Sequence, residues 1–143
     1  MKQTFETHSP EETQALGEQL GKTLKPGDVI ALIGDLGAGK TCLTQGIARG
    51  IGIAPDEVVS SPSYILINEY NGTIPIYHID LYRLESTAEI ADLGLTEYIE
   101  GNGICIVEWA ERMADALPLR CVRINIRWED ENVRHFTVQH PVS

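Results

Sequence analysis

A glycine-rich segment between an apolar run and a helical pattern constrains this chain of 143 residues more than any other feature. Over residues 30–50 it reads IALIGDLGAGKTCLTQGIARG, which satisfies the spacing G-x-x-x-x-G-K-[ST] from Gly34 to Thr41. Glycines let the backbone turn tightly and aim successive N–H groups at one anion, and a helix starting near Gly39 adds the positive end of its dipole. Lys40 would contact the outer phosphates, and the hydroxyl of Thr41 would hold Mg²⁺. The spacing therefore predicts a nucleoside-triphosphate site.

The residues on either side of this segment predict how it is held. Val29 to Ile33 form a short apolar run typical of a strand buried on both faces, and apolar residues then recur at helical spacing as far as Ile51. A glycine-rich turn that merely connects two packed elements, with Lys40 in solvent, is the alternative, but the strand and helix around it favour phosphate binding. The predicted nucleotide-binding residues are Gly34, Asp35, Leu36, Gly37, Ala38, Gly39, Lys40, Thr41, Cys42 and, later in the chain, Trp109.

Composition restricts the class of protein. With 43% hydrophobic content, the chain has room for a single domain, 1–143, with its own core. It carries 11 Lys and Arg against 21 Asp and Glu, a net charge of −10. This balance argues against tight nucleic-acid binding by the protein alone, because such binding depends on neutralising phosphates. The acidic surface indicates either a protein partner with a basic face or simply a soluble domain.

No segment predicts export or insertion into a membrane. No apolar run approaches the roughly 20 residues that span a bilayer, and the opening MKQTFETHSPEE lacks the apolar core of a secretory signal. We therefore expect a cytoplasmic protein. Cys42, Cys105 and Cys121 are odd in number and widely spaced, which indicates packed, reduced thiols. The four histidines show no ligand spacing, so a metal–histidine site is not expected.

The remaining patterns predict an α/β fold with a buried central strand pair and antiparallel hairpins. Ser9, Pro10 and Glu12 form a helix-start signal, with a capping box, for a helix that reaches Leu24. Asn71-Gly72 predicts a tight hairpin. The other predicted elements are hairpin strands at 64–70 and 73–80, helices over 86–94, 96–100 and the segment that ends at Pro118, a buried strand at 104–108, and a second hairpin over 122–128 and 133–138.

Two carboxylates end predicted strands. Ile104 to Val107 is an apolar run that leads into Glu108, the usual place for a second metal-side group beside a phosphate-binding loop. Asp80 competes for this role, because it ends the last strand of the first hairpin. We assign Glu108 to Mg²⁺, directly or through water, and Asp80 to the metal shell or to orienting the attacking water. The two roles could be exchanged, and each carboxylate could instead be a helix cap or a surface group.

Two further features leave alternatives open. Ser60, Ser61 and Ser63 place three hydroxyls close together, and a hydroxyl on such a loop can reach the γ-phosphate or its Mg²⁺. Turn chemistry around Pro62 explains the same residues equally well. Trp109 is either a core residue or an exposed position for stacking or partner docking.

Several blocks occur together and in a fixed order. They are GDLGAGKT at 34–41, SPSY at 61–64, HIDLYRL at 78–84, LGL at 93–95 and IVEWAER at 106–112. In so short a chain, these blocks resemble the bacterial TsaE family, small P-loop ATPases needed for the threonylcarbamoyl modification of adenosine beside the tRNA anticodon. The resemblance covers about residues 9–112 and is most specific in HIDLYRL and EW.

The resemblance implies a P-loop NTPase-like domain with a mixed sheet and helices on both faces. It further implies ATP and Mg²⁺ as ligands, and slow hydrolysis that depends on a partner complex of a threonylcarbamoyl transferase and its dimer partner. By motif, the catalytic residues would be Lys40, Ser63 and Asp80, the Mg²⁺ ligands Thr41 and Glu108, and the functional aromatic residue Trp109. Ser63 departs from the threonine common in the family; it keeps the hydroxyl, but its rotamer is less restrained.

An ATPase switch that acts on a partner is therefore the leading hypothesis, and a small-molecule kinase with the same loop is the alternative. Such kinases usually bring extra Arg or Lys to the acceptor phosphate and a lid that excludes water. Here Arg49, Arg83 and Arg112 are scattered, and no lid insertion is visible. A GTPase is disfavoured because the chain has no N-K-x-D sequence to read the base.

Overall fold

The computed structural model describes residues 2–34, 40–54, 57, 59, 67–81, 88, 94–130 and 132–141. The strands in this part of the chain are β1 (Lys2–Thr7), β2 (Val29–Gly34), β3 (Ile67–Tyr70), β4 (Ile76–Asp80), β5 (Ile104–Glu108), β6 (Val122–Trp128) and β7 (Arg134–Gln139). The α-helices are α1 (Pro10–Gly21), α2 (Lys40–Ile51) and α3 (Leu95–Ile99), and Ala110–Ala116 forms a 3₁₀ helix. The strands form one mixed sheet in the order β1-β7-β6-β2-β5-β4-β3.

Parallel strands occupy the centre of this sheet. β2 is parallel to β5 on one side and to β6 on the other, and β4 is parallel to β5. Antiparallel strands extend the sheet on both sides of this centre. β3 pairs with β4 on one side, and β7 and then β1 follow β6 on the other. The carboxyl ends of β2, β4 and β5 therefore meet at one edge of the sheet, which is where open α/β sheets bind ligands. The predicted α/β fold, with central parallel strands and antiparallel hairpins, is confirmed.

Two apolar clusters cover the faces of the sheet, because successive side chains of a strand point to opposite faces. On one face, residues of the central strands pack with α1 and α2. That cluster includes Leu16, Ile30, Leu32, Leu43, Ile47, Ile104 and Ile106. On the other face, the next residues of the same strands pack with α3 and the 3₁₀ helix. That cluster includes Val29, Ala31, Leu95, Ile99, Cys105, Val107 and Met113. The prediction of helices on both faces is confirmed.

The start of α1 follows the capping pattern read from the sequence. Ser9 is the N-cap, and its Oγ accepts a hydrogen bond from the backbone N–H of Glu12 at 3.1 Å. Glu12 Oε1 accepts from the backbone N–H of His8 at 3.0 Å, so two N–H groups at the helix start are satisfied. The helix ends at Gly21, earlier than the predicted end at Leu24.

The first hairpin is present, but its turn differs from the prediction. β3 and β4 pair antiparallel, with Tyr70 opposite Ile76, so residues 71–75 connect them rather than a two-residue turn. Asn71 and Gly72 are engaged elsewhere. The backbone N–H and the side-chain amide of Asn71 both donate to Glu57 Oε1 at 3.1 Å, and Gly72 forms an isolated bridge with Ile53. These bonds to the preceding segment replace the tight turn.

Other elements agree with the sequence to different degrees. α3 confirms the short helix predicted at 96–100, and β5, β6 and β7 confirm the strands predicted near them. The predicted helix before Pro118 is a 3₁₀ helix, and strand β1 was not expected at all. The helix predicted over 86–94 lies outside the described residues, apart from Ala88 and Gly94. Within the described ranges, no helix is long and apolar enough to cross a membrane.

Candidate nucleotide-binding site

The glycine-rich segment joins β2 to α2, and the structure describes both of its ends. Gly34 is the last residue of β2 and has φ +149°. A Cβ there would lie 2.3 Å from the carbonyl oxygen of Ile126 on the neighbouring strand β6, so a side chain does not fit. Lys40 begins α2, and Thr41 and Cys42 follow it in the first turn, both part-buried. The predicted strand and helix on the two sides of the segment are thus confirmed.

Five of the predicted phosphate-binding residues and the predicted switch hydroxyls fall outside the described part of the chain. Asp35, Leu36, Gly37, Ala38 and Gly39 lie outside the described residues, and so do Ser60, Ser61 and Ser63 of the predicted switch loop.

The two predicted acidic residues lie side by side at the carboxyl ends of neighbouring parallel strands. Asp80 ends β4, Glu108 ends β5, and their Cα atoms are partners in the sheet register. Glu108 is also the register partner of Leu32 on β2, two residues before the strand ends at Gly34. Asp80 is 4% exposed and Glu108 5% exposed, so neither is a surface carboxylate. Carboxylates are rarely buried unless they are paired or bind a metal.

A hydrogen-bonded group behind these acids was not recognised in the sequence. His78, two residues before Asp80 on β4, is fully buried, and its Nε2 lies 2.5 Å from Glu108 Oε2. Its Nδ1 lies 3.2 Å from the hydroxyl of Tyr70 on β3, which in turn lies 3.4 Å from the amide nitrogen of Asn68. The period of two along β4 could have shown that His78 shares a face with Asp80, but its partner on β5 is 30 residues away.

Trp109 follows Glu108 and adopts an unusual backbone conformation. Its φ of +58° lies in the left-handed region, where a bulky side chain is rare. The ring is part-buried against the apolar cluster beneath the 3₁₀ helix, and the guanidinium carbon of Arg112 lies 5.6 Å from a ring centroid. The indole packs on the core, as the first alternative predicts. It also keeps an exposed part, which stacking or partner docking would require.

The donor set at this edge of the sheet fits a magnesium ion. Thr41 offers a hydroxyl, and Asp80 and Glu108 offer carboxylates, all of them the hard oxygen ligands that Mg²⁺ prefers. Strand alternation places Glu108 on the same face as Ile104 and Ile106, which pack in the cluster that includes α2. The carboxylate and the first turn of α2 are therefore on one side of the sheet.

Cys42 directly follows Thr41 in the first turn of α2, whereas Cys105 lies on β5 and Cys121 just before β6. Cys105 and Cys121 are buried, Cys42 is part-buried, and all three are free thiols, as predicted. Burial raises the pKa of Cys105 from 9.0 to about 12, and its Sγ donates to the carbonyl oxygen of Tyr98 at 3.3 Å. The fold does gather His135 with Glu6 and Glu129, with ligand atoms within 4.8 Å of one another, which sequence spacing did not indicate.

Comparison with known proteins identifies the family of the chain. The family model "Threonylcarbamoyl adenosine biosynthesis protein TsaE" matches residues 7–136, which is most of the chain. The chain belongs to the TsaE family. It is 46% identical over 134 residues to the tRNA threonylcarbamoyladenosine biosynthesis protein TsaE of Bacillus subtilis, covering 93% of this chain and 82% of that one. It is 39% identical over 132 residues to the protein of the same name from Treponema pallidum, covering 92% and 96%.

A solved structure supports the same conclusion for the fold. The crystal structure of YdiB from Bacillus subtilis superposes on the TsaE-family chain with a TM-score of 0.84 at 38% sequence identity, covering 99% of this chain and 87% of that one. The fold is that of a P-loop NTPase, and the family is one of P-loop ATPases that bind nucleotide. The match gives no support to the alternative of a small-molecule kinase.

Proposed function

We propose that this chain is an ATP-binding, Mg²⁺-dependent ATPase that acts as a switch in making the threonylcarbamoyladenosine modification next to the tRNA anticodon. One observation carries the proposal. Asp80 and Glu108 are adjacent and buried at the carboxyl ends of parallel strands, beside the strand that leads toward Lys40 and Thr41. This is where a P-loop ATPase places the groups that hold Mg²⁺ and direct water. Relatives named for threonylcarbamoyladenosine biosynthesis supply the pathway.

Each residue has a proposed role in this site. The backbone of 34–39 cradles the phosphates, Lys40 contacts the outer ones, and Thr41 and Glu108 bind Mg²⁺. Asp80 completes the metal shell or orients the attacking water. Mg²⁺, when bound, neutralises charge on the phosphates and so lowers the barrier to phosphoryl transfer.

The proposed partner is the complex that transfers the threonylcarbamoyl group, made of a transferase and its dimer partner. Hydrolysis by the chain alone is weak, and the partner raises it; the proposed switch hydroxyl is that of Ser63, and Trp109 stacks or docks at the same edge. We further propose that 1–143 is one domain, because strands from residue 2 to residue 139 share one sheet. It acts in the cytoplasm, where tRNA is modified.

The phosphate cradle is tested by Lys40→Ala. One charge-assisted hydrogen bond to phosphate is worth about 1.5–3 kcal/mol, so ATP affinity should fall roughly 10- to 150-fold. Isothermal titration calorimetry with ATP and Mg²⁺ measures it. Lys22→Ala is the matched control, since Lys22 is an exposed lysine at the end of α1 and should leave the affinity unchanged. Equal affinity of Lys40→Ala and the parent contradicts the cradle.

The metal assignment is tested by comparing Glu108→Ala with Asp80→Ala. If Glu108 is the Mg²⁺ ligand, its removal should impair Mg²⁺-dependent turnover more than nucleotide binding, measured with the partner complex present. Full activity of Glu108→Ala, with activity lost in Asp80→Ala, would move the metal to Asp80. Stoichiometric transfer of label from γ-labelled ATP to a small molecule would contradict the switch.

A further inference from the structure

His78 is a buried imidazole in the middle of β4, at a position where an apolar side chain would pack. It is 0% exposed, its register partner on β5 is Ile106, and Ile76 occupies the previous position on the same face of β4. A polar ring buried this deeply costs free energy unless its nitrogens are hydrogen-bonded. Both nitrogens have partners, Tyr70 at 3.2 Å and Glu108 at 2.5 Å.

The chemistry of these partners gives the chain of hydrogen bonds a direction. A carboxylate only accepts, so Nε2 of His78 carries the hydrogen that it donates to Glu108 Oε2. In the neutral imidazole with its hydrogen on Nε2, Nδ1 accepts, and the hydroxyl of Tyr70 donates to it. The amide of Asn68 donates to the same hydroxyl oxygen at 3.4 Å. Each hydrogen bond in this chain is therefore donated toward Glu108, from β3 to His78 on β4 and from His78 to the carboxylate at the end of β5.

We propose that His78 is the positioning residue of Glu108, holding Oε2 so that Oε1 is presented to the Mg²⁺ of bound nucleotide. The inference rests on the proposed function, because it assumes that Glu108 is a metal ligand. Mg²⁺ demands near-octahedral geometry, which a freely rotating glutamate satisfies poorly. Groups that hydrogen-bond a ligating side chain typically change metal affinity about 10- to 100-fold when they are removed.

A purely structural role for His78 makes a different prediction from a positioning role. The amide nitrogen of glutamine extends to about the place of Nε2, whereas that of asparagine extends only to about the place of Nδ1. His78→Gln therefore keeps a donor for Glu108, and His78→Asn loses it. Both substitutions are polar and disturb the core, so a structural role affects them alike.

The test measures the affinity of a non-hydrolysable ATP analogue with and without Mg²⁺, and the binding of Mn²⁺ to the nucleotide complex by electron paramagnetic resonance. We expect His78→Asn to weaken Mn²⁺ binding about 10- to 100-fold and to lose most of the gain in nucleotide affinity that Mg²⁺ provides. Nucleotide affinity without Mg²⁺ should stay at the parent value. His78→Gln should restore most of the metal-dependent gain.

Tyr70→Phe is the second variant, because it removes only the hydroxyl that donates to Nδ1. It should shift metal binding in the same direction by a smaller factor, and it decides the question if the His78 variants do not fold. Metal binding equal to the parent in every variant that folds overturns the inference while leaving the proposed function intact. A parent protein that binds neither ATP nor Mg²⁺ instead refutes the proposed function.

Discussion

At the scale of single residues, Trp109 is the one non-glycine residue in the described part of the chain with a positive φ. Its φ is +58°, directly after Glu108 and directly before the 3₁₀ helix. An L residue in the left-handed region costs roughly 1–2 kcal/mol. Such conformations occur at functional sites when the surrounding structure holds them. Here the neighbours on both sides are held, Glu108 by the sheet and Arg112 by a hydrogen bond from its N–H to the Trp109 carbonyl oxygen at 3.0 Å.

A pair of substitutions at this position separates the backbone cost from the loss of the ring. Trp109→Gly and Trp109→Ala both remove the indole, but only glycine adopts a positive φ without strain. We expect the glycine variant to be more stable than the alanine variant by about 1 kcal/mol. Urea unfolding followed by circular dichroism measures the difference. An alanine variant as stable as the glycine variant would contradict the assignment of strain.

The buried thiol of Cys105 makes the free energy of unfolding depend on pH in the alkaline range. Burial penalises the thiolate and so raises the pKa of Cys105 from 9.0 to about 12 in the folded protein. Above pH 9 the unfolded chain loses a proton that the folded chain keeps, so the free energy of unfolding falls by up to about 1.4 kcal/mol per pH unit. Cys105→Ala should show a shallower fall between pH 9 and 10.5, in urea titrations, than Cys42→Ala. Parallel slopes for the two variants would contradict this.

At the scale of elements, the contact between α1 and α2 depends on glycines that the sequence analysis passed over. Gly17 and Gly21 on α1, and Gly46 and Gly50 on α2, are each four residues apart and so lie on one face of their helix. A Cβ at Gly46 would lie 2.1 Å from the carbonyl oxygen of Gln14, and one at Gly21 would lie 2.3 Å from that of Ile47. The backbones therefore touch, and this contact fixes the helix that carries Lys40 and Thr41.

Replacing Gly46 with alanine tests this contact. Alanine favours an isolated helix by about 1 kcal/mol over glycine, but overpacking costs about 1–3 kcal/mol, and here the clash is with backbone that cannot move aside. We expect Gly46→Ala to lower the free energy of unfolding and the melting temperature. Gln19→Ala, an exposed substitution on α1, is the control and should change neither. An increase in stability for Gly46→Ala would show that the helices separate easily.

The elements that sequence analysis predicted are those specified by near neighbours. The Ser9 cap, the apolar run before Gly34 and the run that ends in Glu108 each depend on residues within one strand or turn. Strand β1 and the bond from His78 to Glu108 depend on contacts across the sheet, which no local pattern reveals. The prediction of a tight Asn71-Gly72 turn was wrong for the same reason. Asn71 donates to Glu57, and Gly72 forms a bridge with Ile53, and neither partner is close in sequence.

At the scale of the whole molecule, the net charge of −10 predicts weak binding of tRNA by the chain itself. Phosphate repels such a surface, so the chain alone should show no measurable binding to labelled tRNA at about 0.15 M salt in fluorescence anisotropy. Binding to the proposed partner, the transferase complex, should weaken as salt rises, because a basic partner face would attract the acidic surface. Tight, salt-sensitive binding of tRNA by the isolated chain would contradict the first expectation, and partner binding that does not change with salt would contradict the second.

The pairing of β1 with β7 has a consequence for synthesis on the ribosome. Lys2 pairs with Gln139, and His140 contacts Gln3 across 137 positions of sequence. During synthesis β1 is therefore without its hydrogen-bonding neighbour until residues 134–139 have left the ribosome. Pairings between such distant segments form slowly, and the waiting strand is open to association with other chains. A chaperone that covers β1 at the tunnel exit would prevent this association with other chains.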